Sequence, residues 1–162
     1  MPDETLQITG YDDVRARLKA LPSNMRDKVM AGAVKAGATY VKKIAITKAK
    51  TFAREKDPVH IWQNIVIRSN KTLGAENGGI AYQVGVRGGA KRYTNNSKNR
   101  RKQRVGKSYE GPGNVYWWRF KEFGTVKQKA DPFMRPALAD HIPDTMNAIL
   151  QRAEVLLNKL QV

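Results

Sequence analysis

The chain has no cysteine. That removes disulfides, thiolate nucleophiles and cysteine-based zinc sites together, and it suits a reducing cytoplasm or an assembled particle equally. Histidine is almost as scarce, with only His60 and His141 present. His60 follows Asp57-Pro58-Val59, and His141 lies between Asp140 and Ile142-Pro143. Asp140, His141 and Asp144 are close in sequence, but adjacent helical residues point in different directions and do not converge on one ligand. No Gly-rich phosphate loop with its Lys-Ser/Thr and no nucleophile elbow occurs. The Gly78-Gly79 and Gly88-Gly89 pairs lack a strand–turn–helix context and read as turns. No catalytic residue, metal site or cofactor is assigned, and an enzyme is not expected. Long apolar runs are also missing, well short of the ~20 residues a membrane span needs. Met1-Pro2-Asp3-Glu4 is acidic and polar, unlike the start of a secretory signal. No membrane partner is expected.

Acid is in short supply as well. Thirty Lys and Arg face 14 Asp and Glu, a formal net charge of +16. Such an excess implies a polyanionic or acidic neighbour, unless it serves solubility alone. With 162 residues, 41% of them apolar, the chain is long enough for one hydrophobic core and reads as a single domain, 1–162.

The periodicity of the apolar residues changes along the chain. Residues 12–21 form an amphipathic helix, with Asp12 or Asp13 as its cap and Val14, Leu18 and Leu21 on one face. Pro22 ends it, and Ser23 or Asn24 opens a second helix reaching about Lys50. Met25, Val29, Gly32, Ala36, Tyr40 and Ile44 recur there at helical spacing. The buried face is built of small residues, including Ala33 and Gly37, so a neighbouring backbone can come close. His60–Ser69 and Ile80–Arg87 read as strands, the second alternating through Ile80, Tyr82, Val84 and Val86, paired antiparallel across a turn at Gly78-Gly79. Near the end, Met146, Ile149, Ala153, Leu156 and Leu160 make a helical stripe widened by Leu150 and Leu157, with Pro143 and Asp144 in its first turn. The class is α+β: a long N-terminal helix and a C-terminal helix packed on a small antiparallel sheet.

Between Gly88 and Gly113 the apolar pattern vanishes. Lys91, Arg92, Lys98, Arg100, Arg101, Lys102, Arg104 and Lys107 stand there against a single acid, Glu110. The expectation is a flexible basic insertion loop at about 88–113 that acquires structure only on a partner, since loops beyond ~12–15 residues are functional or disordered. The segment Tyr116-Trp117-Trp118-Arg119-Phe120-Lys121-Glu122-Phe123 follows. Its aromatics could stack nucleobases. Tyr116, Phe120 and Phe123, however, share one helical face ending at Gly124, which reads as a short helix anchored in the core.

The stretch Tyr116 to Thr125, followed by Ala130-Asp131-Pro132-Phe133-Met134-Arg135-Pro136-Ala137-Leu138, resembles the signature of the phage tail-completion family. These are neck or minor tail components of the coliphage HK-ninety-seven type. An aromatic segment ending Glu122-Phe123-Gly124-Thr125, a short basic spacer and then Pro132-Phe133-Met134-Arg135-Pro136-Ala137 opening the last helix carry the likeness. His60-Ile61-Trp62-Gln63-Asn64 and the long basic insertion depart from the family pattern. The resemblance implies a non-enzymatic virion protein at the head–tail junction, made in the host bacterial cytoplasm. Its implied partners are other copies of itself in a ring and neighbouring neck or tail proteins such as the tail terminator and head–tail connector. Non-specific DNA contact through the basic arm is the further expectation, and a nucleic-acid-binding protein using the 91–107 arm is the rival reading. In the family reading Glu122 fixes the turn at Gly124, Pro132 presets the helix start, Phe133 and Met134 fill the core, and Arg135 is available to a carboxylate.

Overall fold

A computed structural model describes residues 10–52, 60–76, 78–87, 91–109 and 115–160. Met1-Pro2-Asp3-Glu4, Asp57-Pro58-Val59, Gly88-Gly89, Glu110 and Gly111-Pro112-Gly113 lie outside the described residues. In chain order the elements are α1 (Tyr11–Ala20), α2 (Ser23–Lys50), a 3-10 turn (Ile61–Asn64), β1 (Ile65–Ser69), α3 (Lys71–Glu76) and β2 (Tyr82–Val86). There follow β3 (Lys91–Arg92), α4 (Ser97–Arg101), β4 (Ser108–Tyr109), α5 (Trp118–Phe123), α6 (Met134–Ala139) and α7 (Ile142–Lys159). The class is α+β, with long helices α2 and α7 and a small antiparallel sheet of β1 and β2. Where chain length suggests a single domain, the residues group into two compact units. One draws on Met1–Ile44, Ile67–Val84 and Arg135–Val162, the other on Ala45–Val66 and Gly85–Met134.

In the first unit, α1 and α7 pack together over a core of Val14, Leu21, Val29, Ala33, Leu150, Ala153 and Leu157. Arg17 Nη2 donates to Asn158 Oδ1 at 2.7 Å across that pair. Asp12 and Asp13 do not cap α1 with their side chains. Gly10 holds the cap position at φ +85, and the two acids fall in the first turn, where they oppose the positive end of the helix dipole. Asp13 also pairs with Arg17 at 3.7 Å.

The small residues of α2 do admit a neighbour. A Cβ on Gly32 would stand 2.6 Å from Leu156 Cδ1, and one on Gly37 would stand 2.6 Å from Ile149 Cγ1. Both partners belong to α7, so α7 seats its branched side chains against bare backbone. The buried line of α2 runs Val29, Ala33, Gly37, Val41, Ala45, Ala49 in steps of four. Of the face expected from spacing, Val29, Ala33 and Gly37 lie on that line, whereas Gly32, Ala36, Tyr40 and Ile44 flank it half-buried and Met25 is 42% exposed.

The sheet is shorter than its sequence pattern and is not closed by a simple hairpin. Asn70 N bonds Ala81 O at 2.9 Å and Arg87 N bonds Asn64 O at 2.7 Å, so β1 and β2 run antiparallel. His60–Ser69 is not a strand throughout, because Ile61–Asn64 winds into a 3-10 turn. The turn is closed by the Asn64 amide, which donates to His60 O at 2.9 Å. Between the strands, Asn70 Oδ1 accepts from Leu73 N at 3.0 Å and starts α3, which sequence spacing does not announce. The turn at Gly78-Gly79 is present, with Gly78 at φ +64.

In the second unit the largest fully buried side chain is Phe133. Its ring meets Phe52 edge-on at 5.8 Å. Among the described residues of this unit, Ala45, Ala49, Ile61, Ile65 and Val115 are also buried.

Candidate interaction surface

The segment expected to be an unstructured basic arm carries three elements. Strands β3 and β4 pair antiparallel, Lys91 with Tyr109 and Arg92 with Ser108, and α4 lies between them. Polar side chains close this hairpin, which is why apolar periodicity misses it. Asn96 caps α4 by accepting from Asn99 N at 2.8 Å. Asn99 is buried, donates to Thr94 O at 2.8 Å and accepts from Arg104 Nε at 2.9 Å. The Arg104 guanidinium also lies 4.2 Å from the Tyr93 ring centroid. Arg104 thus belongs to the interior of the hairpin rather than to its outer face. Arg92, Lys98, Arg100, Arg101, Lys102 and Lys107 are exposed, and Lys91 begins β3.

The motif around α5 and α6 forms one locked turn. Glu122, at the end of α5, is 1% exposed. Its Oε2 accepts from Phe133 N at 2.8 Å and Met134 N at 2.9 Å. The carboxylate therefore caps the amides where α6 begins instead of fixing the turn at Gly124 itself, and a negative charge at that end suits the helix dipole. Gly124 ends α5 at φ +76, and a Cβ there would meet Ala130 N at 2.8 Å and Gln128 O at 2.9 Å. Thr125 and Gln128 exchange backbone bonds of 2.8 and 3.2 Å, making a tight reversal between the two helices. Asp131 N then bonds Lys121 O at 2.8 Å, and its carboxylate pairs with Lys48 at 3.5 Å. Pro132 lies just ahead of α6. Phe133 is fully buried, Met134 and Pro136 are half-buried, and Arg135 is exposed.

The aromatics preceding this turn do not anchor a core. Tyr116 is 57% exposed, Phe120 45% and Phe123 62%, while Val115 at 0% takes the buried place. The rings lean on one another instead. Tyr116 meets Trp117 at 5.6 Å and Phe120 at 6.0 Å, both edge-on, and Trp118 meets Phe123 at 6.4 Å. Helical spacing tells which rings share a face, but not whether anything covers that face.

The two histidines lie in separate units. His60 stacks on Trp62 at 5.9 Å, and its Nδ1 is buried without a hydrogen-bond partner among the described residues. His141 and Asp144 do approach, at 3.5 Å, one turn apart on the same side, whereas Asp140 bonds Pro136 O through its backbone. Tyr40 from α2 joins them, donating to Asp144 Oδ2 at 3.2 Å. Desolvation, with the Asp144 carboxylate, raises the Tyr40 phenol above its ordinary value. The described residues hold no group of three or more His, Cys, Asp or Glu that could bind a metal ion. Among them, too, no helix is long and apolar enough to cross a membrane.

Against models of protein families, curated proteins and solved structures, the chain finds no match.

Proposed function

We propose that this chain is a structural virion protein at the head–tail junction of a long-tailed phage, a tail-completion, neck or minor tail component that works by assembly with other proteins. The observation that carries the reading is the Glu122 carboxylate bound to the amides of Phe133 and Met134. It joins the two halves of the sequence motif into one physical device, with Gly124 as the reversal between them. That coupling supports the resemblance on structural grounds, because residues far apart in the motif depend on each other for their hydrogen bonds. In this reading the protein acts in the virion, in a ring of its own copies against neighbours such as the tail terminator and head–tail connector. The exposed cations at Arg92, Lys98, Arg100, Arg101, Lys102 and Lys107 supply non-specific DNA contact or an acidic protein contact.

The test is a phage deleted for this gene, with lysates viewed by electron microscopy. Full heads and finished tails that fail to join, and that join again when purified protein is added, are the expected result. Normal joined particles from the deletion phage would overturn the proposal.

A further inference from the structure

We infer that the aromatic face of α5 is a stacking platform for single-stranded nucleic acid, with the cations beside it holding the phosphates. Tyr116 and Phe120 are 57% and 45% exposed and lie with their ring centroids 6.0 Å apart. An exposed cluster of large rings is unusual on a surface with nothing to bind. Its electrostatic setting selects the partner. Of residues 91–130, twelve are Lys or Arg and two are Asp or Glu, namely Glu110 and Glu122. Within the described part the sole carboxylate is Glu122, which is buried and bonded to the start of α6. Arg119, Lys127 and Lys129, by contrast, are exposed next to the rings in sequence.

A surface of rings and cations, in which Glu122 is buried and the Asp131 carboxylate is paired with Lys48 at 3.5 Å, complements a chain that alternates flat apolar rings with anions. Single-stranded nucleic acid has that composition, because each nucleotide carries a π-face and a phosphate. A duplex would offer the phosphates but keep its base faces stacked on each other. An acidic protein would offer the charge without a ring at every repeat. The inference does not depend on the assembly proposal, since it concerns the isolated protein and the joining test concerns particles.

Fluorescence anisotropy with a labelled oligothymidylate, titrated across salt concentrations, tests the inference on the full-length protein. The wild type should bind with a salt slope near −0.7 per phosphate contact, as single strands give. Tyr116→Ala and Phe120→Ala should each weaken binding by about 5- to 150-fold, the equivalent of one lost base–ring stack. Their melting temperatures and salt slopes should match the wild type, and Phe120→Trp should bind as well as the wild type. Polyglutamate of equal charge should compete poorly, and equally in wild type and variants. The inference fails if the alanine variants bind as tightly as the wild type, or if no binding occurs at low salt. It fails equally if polyglutamate competes charge for charge, which would point to an acidic protein partner. A large fall in melting temperature for the alanine variants would also overturn it, by showing that the rings support the fold.

Discussion

Glu122 and Gly124 are two residues apart and answer opposite demands. Glu122 has its charge buried, which is tolerable because two backbone amides meet one of its oxygens. Replacing it with alanine removes both acceptor bonds and leaves the start of α6 uncapped. We expect Glu122→Ala to cost about 1.5–3 kcal/mol in urea unfolding, the range for hydrogen bonds to a charged group. Gly124 has φ +76 and ψ −178, a region open to glycine almost alone, with strain of about 1–3 kcal/mol for other residues. The backbone atoms a Cβ would meet cannot swing away as a side-chain tip could. Gly124→Val should therefore lose at least that much stability in the same measurement. Phe133→Ala, at a fully buried position, should lose about 3–5 kcal/mol. If all three variants melted like the wild type, the turn would be an ornament on the fold and not part of its support.

At the scale of elements, the close seat of α7 on α2 rests on the absence of side chains. Gly37→Val should drive its methyls into Ile149 and Thr145 and cost about 1–3 kcal/mol through overpacking. Pairing it with Ile149→Ala should give a less-than-additive loss, since the second change makes room for the first. Helices α1, α2 and α7 were legible in the sequence because each buries an apolar face with a helical period, and the β1–β2 pair because its β-branched residues cluster on either side of the glycine turn. The β3–α4–β4 hairpin and α3 were not, because Asn70, Asn96 and Asn99 close them with side-chain bonds to backbone, and such bonds leave no period. The same limit applies to the candidate site. Its motif turn could be read from Glu122, Gly124 and Phe133, whereas the exposure of Tyr116 and Phe120 depends on what packs nearby. Asn99→Ala should speed amide exchange across 91–109 while leaving exchange in α7 nearly unchanged, because its bonds are all local to the hairpin.

For the whole molecule, +16 on 162 residues is a standing repulsion that folding compresses. Raising ionic strength from 0.01 to 0.15 M shortens the Debye length from about 30 to 8 Å, so the midpoint of thermal unfolding should rise with salt. A midpoint that fell over that range would mean favourable ion pairs outweigh the repulsion.

The Glu122 cap has a consequence for the order in which the chain folds. Glu122 and Phe133 are 11 residues apart, whereas the bond between α1 and α7 joins Arg17 to Asn158 across 141. Closing a loop of about ten residues takes roughly 10–100 ns, but a closure spanning most of the chain costs about 2 kcal/mol more in loop entropy before any contact forms. The motif turn can thus be in place while the terminal helices are still searching. Changes at Glu122 and Gly124 should act mainly on the refolding rate, and Leu157→Ala in α7 mainly on the unfolding rate. Stopped-flow measurements on both limbs would read the difference directly. The residues around Glu122 and Gly124 would then give the chain an early foothold on the way to its native state.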